Sequence, residues 1–370
     1  MDHLQQLIQI SRNFGKNTEY VIAGGGNTSL KDENVLYIKA SGISLSTIDE
    51  GGFVKMSRKG LELIEERKYP ENSYEREQEV KADLAAAVIG DQQLRPSVET
   101  SLHNLINYRF IVHTHPTLVN GLMCSNDAES ETGKKFGNKA LYIEYTDPGY
   151  ILFKAVQEKV KEYMKAFNQA PKIIFLQNHG IFVGADTIDE IQELYAYVEE
   201  RISEGKDLSL PSIEASPYQS VACSRITSEF TERGLLTRSI QSPLTDHFLS
   251  KPGGFEKIRR PFSPDIIVYC KSNYLFLKKG LSGAEVLEKL RKFEEVHGYY
   301  PKVILEQGEG LIAVEESEKS LAIVLEVFQD LMKISYLSEQ FGGPHPMTLE
   351  QIEFIDNWEV ENYRRSVAKS

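Results

Sequence analysis

Cysteine and long apolar runs are scarce in this sequence. Its 370 residues include three cysteines, Cys124, Cys223 and Cys270, which are widely spaced and form no Cys-x-x-Cys motif. This odd, dispersed set predicts neither a disulfide framework nor a thiolate zinc site. No apolar run approaches the roughly 18 residues of a membrane-spanning helix, and the N-terminus lacks the apolar core of a signal peptide. We therefore expect a cytoplasmic protein with reduced thiols.

Positive charge is also in short supply. The chain has 42 Lys and Arg residues against 54 Asp and Glu residues, which gives a formal net charge of −12. A strongly acidic protein has no general attraction for nucleic acid or for an anionic membrane surface. We expect neither partner, and a phosphorylated small molecule must be held by a local site.

The length of the chain predicts two domains, because it exceeds what one compact core usually reaches. Strand and helix patterns mix without strict βαβ alternation in the first half, which favours an α+β or layered α/β/α fold. A stretch with Ser, Pro and little periodicity predicts a linker, and RRPFSPDIIVYC (259–270) then predicts a strand. We expect a first domain over 1–207, a linker over 208–220, a second domain over 221–345 and a helical tail over 346–370.

Two segments of the chain resemble each other. PKIIFLQNHGIFVGADTIDEIQEL starts at Pro171, and PKVILEQGEGLIAVEESEKSLAIV starts 130 positions later at Pro301. Matching apolar positions run through a predicted strand, turn, strand and helix, which indicates a duplicated half-domain without its chemistry, since His179 corresponds to Glu309. The alternative is a chance similarity between two strand–turn–strand–helix units.

A His-x-His motif lies on an apolar predicted strand. His113 and His115 stand two residues apart, so their side chains share one face of the strand. Neutral imidazole suits zinc, and a catalytic zinc usually has three protein ligands and one open position. His179, at a sharp predicted turn, is the candidate third ligand. The alternative is that all three are ordinary half-buried histidines.

A carboxylate precedes this motif by fourteen residues. Glu99 lies in PSVETSLH, where it shares a predicted helical face with His103. Near a metal, a carboxylate can act as ligand, as general base, or as both in turn. The alternative is that Glu99 stabilises the first turn of a helix near Ser97.

Two turn-like segments are rich in small hydrogen-bond donors. Asn27, Thr28 and Ser29 follow three glycines, and Ser41 precedes Gly42. Backbone amides and short polar side chains can cradle a phosphate without a basic patch. Neither segment fits a Walker loop or a dinucleotide-binding fingerprint, and ordinary turns are the alternative.

The joint pattern resembles the class II aldolase/adducin family. That family includes L-fuculose-1-phosphate and L-rhamnulose-1-phosphate aldolases and L-ribulose-5-phosphate 4-epimerase. Within it, the second half and a long spacer are most similar to the aldolase portion of bifunctional rhamnulose-1-phosphate aldolase/lactaldehyde dehydrogenases. The motifs that carry the resemblance occur in one order: Gly26-Asn27-Thr28-Ser29, Ser41-Gly42, Ser97-x-Glu99-x-x-x-His103, His113-x-His115-Pro116, Asp147-Pro148-Gly149 and Asn178-His179-Gly180.

The resemblance implies a zinc-dependent lyase with a three-layer α/β/α domain, a mainly antiparallel central sheet and a degenerate related second domain. In the family the histidines that match His113, His115 and His179 hold the metal, and the glutamate that matches Glu99 is the acid/base. The expected reaction cleaves a ketose 1-phosphate to dihydroxyacetone phosphate and an aldehyde such as L-lactaldehyde. Another divalent metal could replace zinc. The expected phosphate and substrate residues are Asn27, Thr28, Ser29, Ser41, Gly42 and Ser97.

Other activities on the same scaffold stay open at this point. A sugar-phosphate 4-epimerase or dehydratase can share the metal-binding histidines, and an adducin-like protein would have no activity. The resemblance also implies a homo-oligomer, either a tetramer or a dimer of two-domain chains. In one family member a neighbouring subunit supplies a tyrosine, but the matching stretch here, 117–141, contains none. The second domain is a candidate source of the missing group.

Overall fold

The computed structural model describes residues 2–90 and 93–358. The described residues form two compact units, the first within Met1–Met123 and Asp127–Lys206 and the second within Cys124–Asn126 and Asp207–Ser370. Among the described residues, no helix is both long enough and apolar enough to cross a bilayer.

The first unit carries the candidate site residues. Its elements are, in order, α1 (His3–Gly15), β1 (Asn27–Lys31), β2 (Val35–Lys39), β3 (Phe53–Ser57), α2 (Arg58–Glu66), α3 (Ser73–Ala86), α4 (Thr100–Leu105), β4 (Phe110–Thr114), α5 (Thr117–Met123), α6 (Ala128–Phe136), β5 (Leu141–Ile143), α7 (Tyr150–Phe167), β6 (Ile173–Leu176), β7 (Gly180–Ala185) and α8 (Ile188–Ser203), with 3-10 turns at Glu50–Gly52 and Gly137–Lys139.

The seven strands form one sheet in the order β3-β2-β1-β4-β7-β6-β5. Every pairing is antiparallel except that of β5 with β6. Apolar side chains of α4 and α7 pack with Ile111, Ile174 and Phe182 on one face. On the other face, Phe175 packs against Phe136 of α6, with the two rings tilted by 54°. The expected layered α/β fold with a mainly antiparallel sheet is therefore confirmed for this unit.

Local sequence explains the helices that cover the sheet. In α8 the buried residues Ile191, Tyr195, Val198 and Ile202 recur at the three- or four-residue spacing of one helical face. The helix begins after Thr187, whose side chain accepts a hydrogen bond from the Glu190 amide and so satisfies one free donor of the first turn. Such amphipathic helices have one face to bury, and the sheet supplies the surface.

Two sequence predictions of local structure are wrong. Asn27, Thr28 and Ser29 were expected in a turn, but β1 starts at Asn27, because the three residues pair with β4. The predicted strand over 259–270 is instead a helix that begins at Pro264, directly after Ser263. A proline at the first helical position is favourable there. The apolar run that follows is buried on all sides, so it shows neither a strand nor a helix period.

In the second unit, residues 207–220 contain no regular element apart from a bridge between Ser216 and Gln241. Its helical tail is described as far as residue 358, and the rest of the predicted tail lies outside the described residues. The elements are α9 (Val221–Glu232), β8 (Leu236–Ile240), α10 (Pro243–Leu249), α11 (Pro264–Cys270), β9 (Leu275–Leu277), α12 (Gly283–His297), β10 (Val303–Glu306), β11 (Gly310–Glu315), α13 (Glu318–Ser338) and α14 (Leu349–Asn357), with 3-10 turns at Phe255–Lys257 and Glu339–Phe341.

The four strands of the second unit follow the order β8-β11-β10-β9. As in the β4-β7-β6-β5 half of the first sheet, only the last pair is parallel. Equivalent backbone bonds also recur, since the Gln177 amide donates to Ile143 and the Gln307 amide donates to Leu277. The two half-sheets thus share strand order and direction.

Candidate active site

Three histidines of the first unit converge at one end of the central sheet. His113 is on β4, His115 follows that strand, and His179 lies in the turn between β6 and β7. The Nε2 atoms of His113 and His115 are 2.9 Å apart. One ring nitrogen from each of the three lies within 4.8 Å of the others. This spacing suits three ligands of a single metal ion.

The turn that carries His179 depends on its two neighbours. Asn178 has a positive φ of 53°, a conformation that asparagine tolerates better than most residues. At Gly180, a Cβ atom would lie 2.5 Å from the Thr114 carbonyl oxygen and 2.7 Å from the His115 ring. Glycine therefore lets β7 approach the His-x-His segment closely enough for the three rings to meet.

Backbone contact fixes the tautomer of His113. Its Nδ1 lies 2.9 Å from the Ile181 carbonyl oxygen, which can only accept, so Nδ1 carries the proton. Its ring stacks on Phe182 with a centroid separation of 4.0 Å, and burial lowers the pKa of His113 well below its usual range. The neutral ring therefore presents an unprotonated Nε2 to the other two histidines, as a metal ligand must.

Glu99 lies directly beside this cluster. Its Oε1 is 3.3 Å from Nε2 of His113 and 3.3 Å from Nε2 of His179. Its Oε2 accepts a hydrogen bond of 2.5 Å from the Asn27 amide. Burial raises the pKa of Glu99, but the three imidazoles and Asn27 outweigh burial and lower that pKa to about 2. The side chain is therefore a carboxylate near neutral pH.

The donor set fits a divalent cation. Oε1 of Glu99 is buried, and no hydrogen-bond donor reaches it from the described residues. An ionised oxygen without a donor is costly to bury, and here it faces the nitrogens of three imidazoles. A cation held by His113, His115 and His179 would remove that cost. The residues present thus match the metal that the resemblance implies.

Glu99 occupies the N-cap position of α4 but does not act as a capping side chain. Its carboxylate makes no hydrogen bond to the first turn. Instead, the Glu99 amide donates to Ser97 Oγ at 3.3 Å. The helix-capping alternative therefore has no contact to support it.

Two of the expected phosphate residues, Asn27 and Ser97, contact Glu99. Asn27 Nδ2 donates to Ser97 Oγ at 3.2 Å as well as to Glu99. Ser41 follows β2, and its amide donates to the Arg95 carbonyl at 2.9 Å. Gly42 is exposed and has a φ of 85°. The loop at 41–42 thus runs beside the segment that leads to Ser97 and is open to solvent.

Thr28 and Ser29, also expected at the phosphate site, have hydroxyl groups that make contacts within the protein. The Thr28 hydroxyl lies 2.6 Å from that of Ser11, and the Ser29 hydroxyl lies 2.7 Å from Nδ1 of His103. Both side chains are fully buried. Because side chains alternate along a strand, Thr28 faces α1 while Asn27 and Ser29 face α4.

Sequence reasoning left His103 without a stated role and missed Lys31. His103 Nε2 contacts Asn27 Oδ1, and burial lowers its pKa to about 3. The buried Lys31 ammonium group contacts the carbonyls of His103, Asn104 and Ile106 at the end of α4. No sequence signal marks Lys31, because lysine side chains are mostly exposed to solvent.

Comparisons with known proteins agree with the geometry. A sequence model of the family described as "Class II Aldolase and Adducin N-terminal domain" matches residues 5–203. The L-fuculose phosphate aldolase of Methanocaldococcus jannaschii is 26% identical over 195 residues, which cover 50% of this chain and 86% of that protein. A Bacillus subtilis protein named "Uncharacterized oxidoreductase YuxG" is 27% identical over 218 residues, 54% of this chain, but the match spans only 30% of that relative.

Solved structures give a similar coverage. The N-terminal class II aldolase domain of a conserved protein from Thermoplasma acidophilum is 26% identical, with a TM-score of 0.46 over 54% of this chain and 92% of that one. An L-fuculose 1-phosphate aldolase is 21% identical, with a TM-score of 0.38 over 57% of this chain and 91% of that one. These matches involve about half of the chain.

Proposed function

Because the chain belongs to the class II aldolase and adducin N-terminal domain family, we propose that it is a metal-dependent aldehyde-lyase. Its substrate is a ketose 1-phosphate of the L-rhamnulose or L-fuculose type. The products are dihydroxyacetone phosphate and an aldehyde such as L-lactaldehyde. The name of the M. jannaschii relative, matched over 86% of its length, supports this substrate class. The oxidoreductase name of the B. subtilis protein is not transferred, because the match spans 30% of it.

One observation carries the proposal. Glu99 Oε1 lies 3.3 Å from the Nε2 atoms of both His113 and His179, and it accepts no hydrogen bond from the residues that the structure describes. A carboxylate that only stabilised the fold would have both oxygens bonded. An acid/base beside a metal needs one oxygen held and the other available, and this is the arrangement of Glu99.

His113, His115 and His179 would hold the divalent ion, and their neutral imidazoles favour zinc. When bound, such an ion acts as a Lewis acid for negative charge that develops on substrate oxygens. Three protein ligands leave room for the substrate. The ring of His113 also limits the access of water to this end of the cluster, because it is fully buried.

Glu99 would move the proton at C3 of the substrate. Cleavage breaks the C3–C4 bond and leaves its electron pair on C3, while the C4 hydroxyl loses a proton and becomes the aldehyde. In the cleavage direction the Glu99 carboxylate would take up the proton released by the C4 hydroxyl and deliver it to C3, and in the synthetic direction it would remove the proton from C3. One proton is lost and one gained, so the reaction needs no co-reactant.

The phosphate would bind beside Asn27, Ser41, Gly42 and Ser97. These residues offer amide and hydroxyl groups without a charged side chain. Because the chain has a net charge of −12, the phosphate would be held by such local donors and not by a basic surface. The exposed loop at Gly42 provides the entry.

A retro-aldol assay tests the proposed function. L-Fuculose 1-phosphate, L-rhamnulose 1-phosphate and other ketose 1-phosphates would be incubated with purified protein, and dihydroxyacetone phosphate measured enzymatically. We expect release with at least one substrate, loss on chelation and recovery with zinc. Conversion of L-ribulose 5-phosphate without cleavage would instead indicate a 4-epimerase, and loss of water from a sugar phosphate would indicate a dehydratase. No metal and no turnover would favour an adducin-like protein.

We also propose that 221–345 is a degenerate repeat of the half-domain that contains β5, β6 and β7. The shared strand order supports common descent. The absence of histidine at Glu309 fits a unit kept for packing or assembly. We propose a cytoplasmic homo-oligomer, a tetramer or a dimer. The three free cysteines are all buried, which is compatible with a reducing compartment. Light scattering on the purified chain gives its mass, and a fully active monomer would contradict the assembly.

A further inference from the structure

His103 makes a hydrogen bond through each of its ring nitrogens. It is a residue of α4, and its fully buried side chain faces β1. Nδ1 lies 2.7 Å from the Ser29 hydroxyl, and Nε2 contacts Asn27 Oδ1. Burial lowers the pKa of His103 to about 3; the charge of Glu99 opposes this shift and that of Lys31 adds to it. The ring is therefore neutral near pH 7. A neutral ring has one N–H group, and the direction of both bonds depends on which nitrogen carries it.

The partners of Asn27 decide that direction. A carboxylate only accepts hydrogen bonds, so the amide NH₂ of Asn27 must face Oε2 of Glu99. This turns Oδ1 of Asn27 toward His103, where the only available donor is Nε2–H. Nδ1 must then accept, and the Ser29 hydroxyl donates to it. The chain of bonds runs in one direction from Ser29 to Glu99.

We propose that His103, in its Nε2–H tautomer, is a positioning residue that holds the Asn27 amide in the orientation required to bind Oε2 of Glu99. With Oε2 held, the carboxylate cannot rotate, and Oε1 stays directed at the histidine cluster. The catalytic consequence rests on the proposed function, but the tautomer and the amide orientation do not.

The reverse arrangement explains why a donor is needed. If His103 carried its proton on Nδ1, Nε2 would accept from the Asn27 NH₂ group, and Oδ1 would face a carboxylate. Two acceptors at that distance repel each other, and Glu99 would swing away. A histidine that only filled space would tolerate either tautomer, so the two roles differ in an observable way.

Nitrogen-15 NMR of the histidine rings tests the tautomer directly. Full-length protein would be labelled with ¹⁵N-histidine, metal-free and zinc-loaded, and the His103 signals assigned by their loss in His103→Gln. We expect a protonated Nε2 and an unprotonated Nδ1, unchanged from about pH 8 to about pH 5, where an ordinary histidine titrates. A protonated Nδ1, or titration within that range, would overturn the proposal.

Two substitutions then separate positioning from packing. In His103→Gln, the side-chain amide can still donate to Asn27. In His103→Asn, the shorter amide reaches Ser29 but not Asn27. We expect metal content to be kept in both, kcat to fall by about 10- to 100-fold in His103→Asn, and most of that loss to be restored in His103→Gln. His297→Gln, at the half-buried end of α12, is the control for histidine loss.

Equal losses of kcat in the two variants would assign His103 a purely structural role and contradict the proposal. If either variant does not fold, the NMR result on the unmodified protein decides the question. If the protein cleaves no ketose 1-phosphate, the NMR result is unaffected, and the failure belongs to the proposed function.

Discussion

The hairpin of β6 and β7 and the hairpin of β10 and β11 share one backbone arrangement, but only the first carries a histidine in its turn. Each joins a four-residue strand to a six-residue strand. In each, three residues separate the two strands. The second of these residues has a positive φ, and it is Asn178 in one hairpin and Gly308 in the other. The next residue is His179 in the first and Glu309 in the second. The turn is therefore a structural device that accepts either side chain.

The strand that pairs with each hairpin, β4 in the first unit and β8 in the second, also differs in its histidine content. His113 lies opposite Phe182, and Ser239 lies opposite Ile312, which is equivalent to Phe182 by the 130-residue offset. The position equivalent to His115 is Gln241 by the same register. All three imidazoles are thus missing from the second unit. A metal site of this kind needs three imidazoles, one on a strand, one directly after that strand and one in a turn, whereas the fold needs only the backbone.

Both hairpins keep the glycine that follows the turn. A Cβ on Gly180 would lie 2.5 Å from the Thr114 carbonyl oxygen, and one on Gly310 would lie 2.3 Å from that of Ile240. In the second unit, the ring of Tyr218 lies 2.8 Å from that same Cβ position. Close approach of neighbouring strands is therefore required by the hairpin, with or without metal ligands.

The largest expected effect separates the two turns. His179→Ala should lose metal affinity by more than about 100-fold, because loss of a ligand exceeds the 10- to 100-fold cost of losing a supporting contact, and activity should disappear. The matched variant Glu309→Ala should keep both. Metal analysis after dialysis gives the occupancy. Full occupancy in His179→Ala would remove that histidine from the ligand set, and metal loss in Glu309→Ala would break the comparison.

Next in size is the effect of Glu99→Gln. We expect turnover to fall by about 10²- to 10⁴-fold with the metal retained, since the amide cannot carry the proton. Glu306→Gln, on β10, replaces a buried carboxylate that accepts from Ser220 at 2.7 Å and is the control in the second unit. Exchange of the C3 proton of dihydroxyacetone phosphate in D₂O reports the step. Near-normal exchange in Glu99→Gln would remove its acid/base role.

Gly180→Ala and Gly310→Ala should both destabilise the protein, by about 1–3 kcal/mol, because each added methyl group meets the backbone of a neighbouring strand. Only Gly180→Ala should also weaken metal binding, since its methyl group meets the His115 ring. Urea unfolding of the metal-free chain and metal titration measure the two effects. A metal defect in Gly310→Ala would contradict the separation of fold from chemistry.

The smallest expected effect is that β1 and α4, which surround His103, lose stability at a higher pH than α13 of the second unit. The folded pKa of His103 is about 3 and its ordinary value is 6.5, so the unfolded chain binds the extra proton first. Stability is therefore complete above pH 6.5 and is lost as pH falls toward 3, by at most about 1.4 kcal/mol per unit. Burial lowers the pKa of His247 and His297 too, but these rings are only partly buried.

Hydrogen exchange of the metal-free protein between about pH 7 and about pH 5 measures this difference. Protection of β1 and α4 should fall before that of α13, and His103→Gln should reduce the pH dependence. Earlier loss of protection in α13 would contradict the expectation.

Sequence patterns predict the convergence of the three histidines, because each histidine lies in a short motif whose local geometry is simple. The i, i+2 spacing of His113 and His115 fixes a common face, and Asn178-His179-Gly180 marks a turn. They fail for Thr28 and Ser29, since the glycines before them suggest a loop and the pairing of β1 with β4 is a long-range contact. The local pattern of a segment does not indicate which distant strand it will pair with.

The same limit applies to α11 and to Lys31. The run Ile266–Cys270 is apolar on every side because the helix is enclosed, and an enclosed segment carries no period to read. Lys31 satisfies the terminal carbonyls of α4, which lie more than seventy residues away in sequence. Such a contact follows from the fold and has no local signal.

The pairing of distant segments at the site has a consequence for the order of events during synthesis. The His113–Ile181 hydrogen bond joins residues 68 positions apart, and the His103–Asn27 bond joins residues 76 apart. Non-local contacts of this kind form late in folding. A nascent chain that ends with β6 lacks His179 and offers at most two of the three imidazoles. A cation held by all three histidines would therefore be captured after the first unit folds, in contrast to small zinc modules in which the ion drives folding.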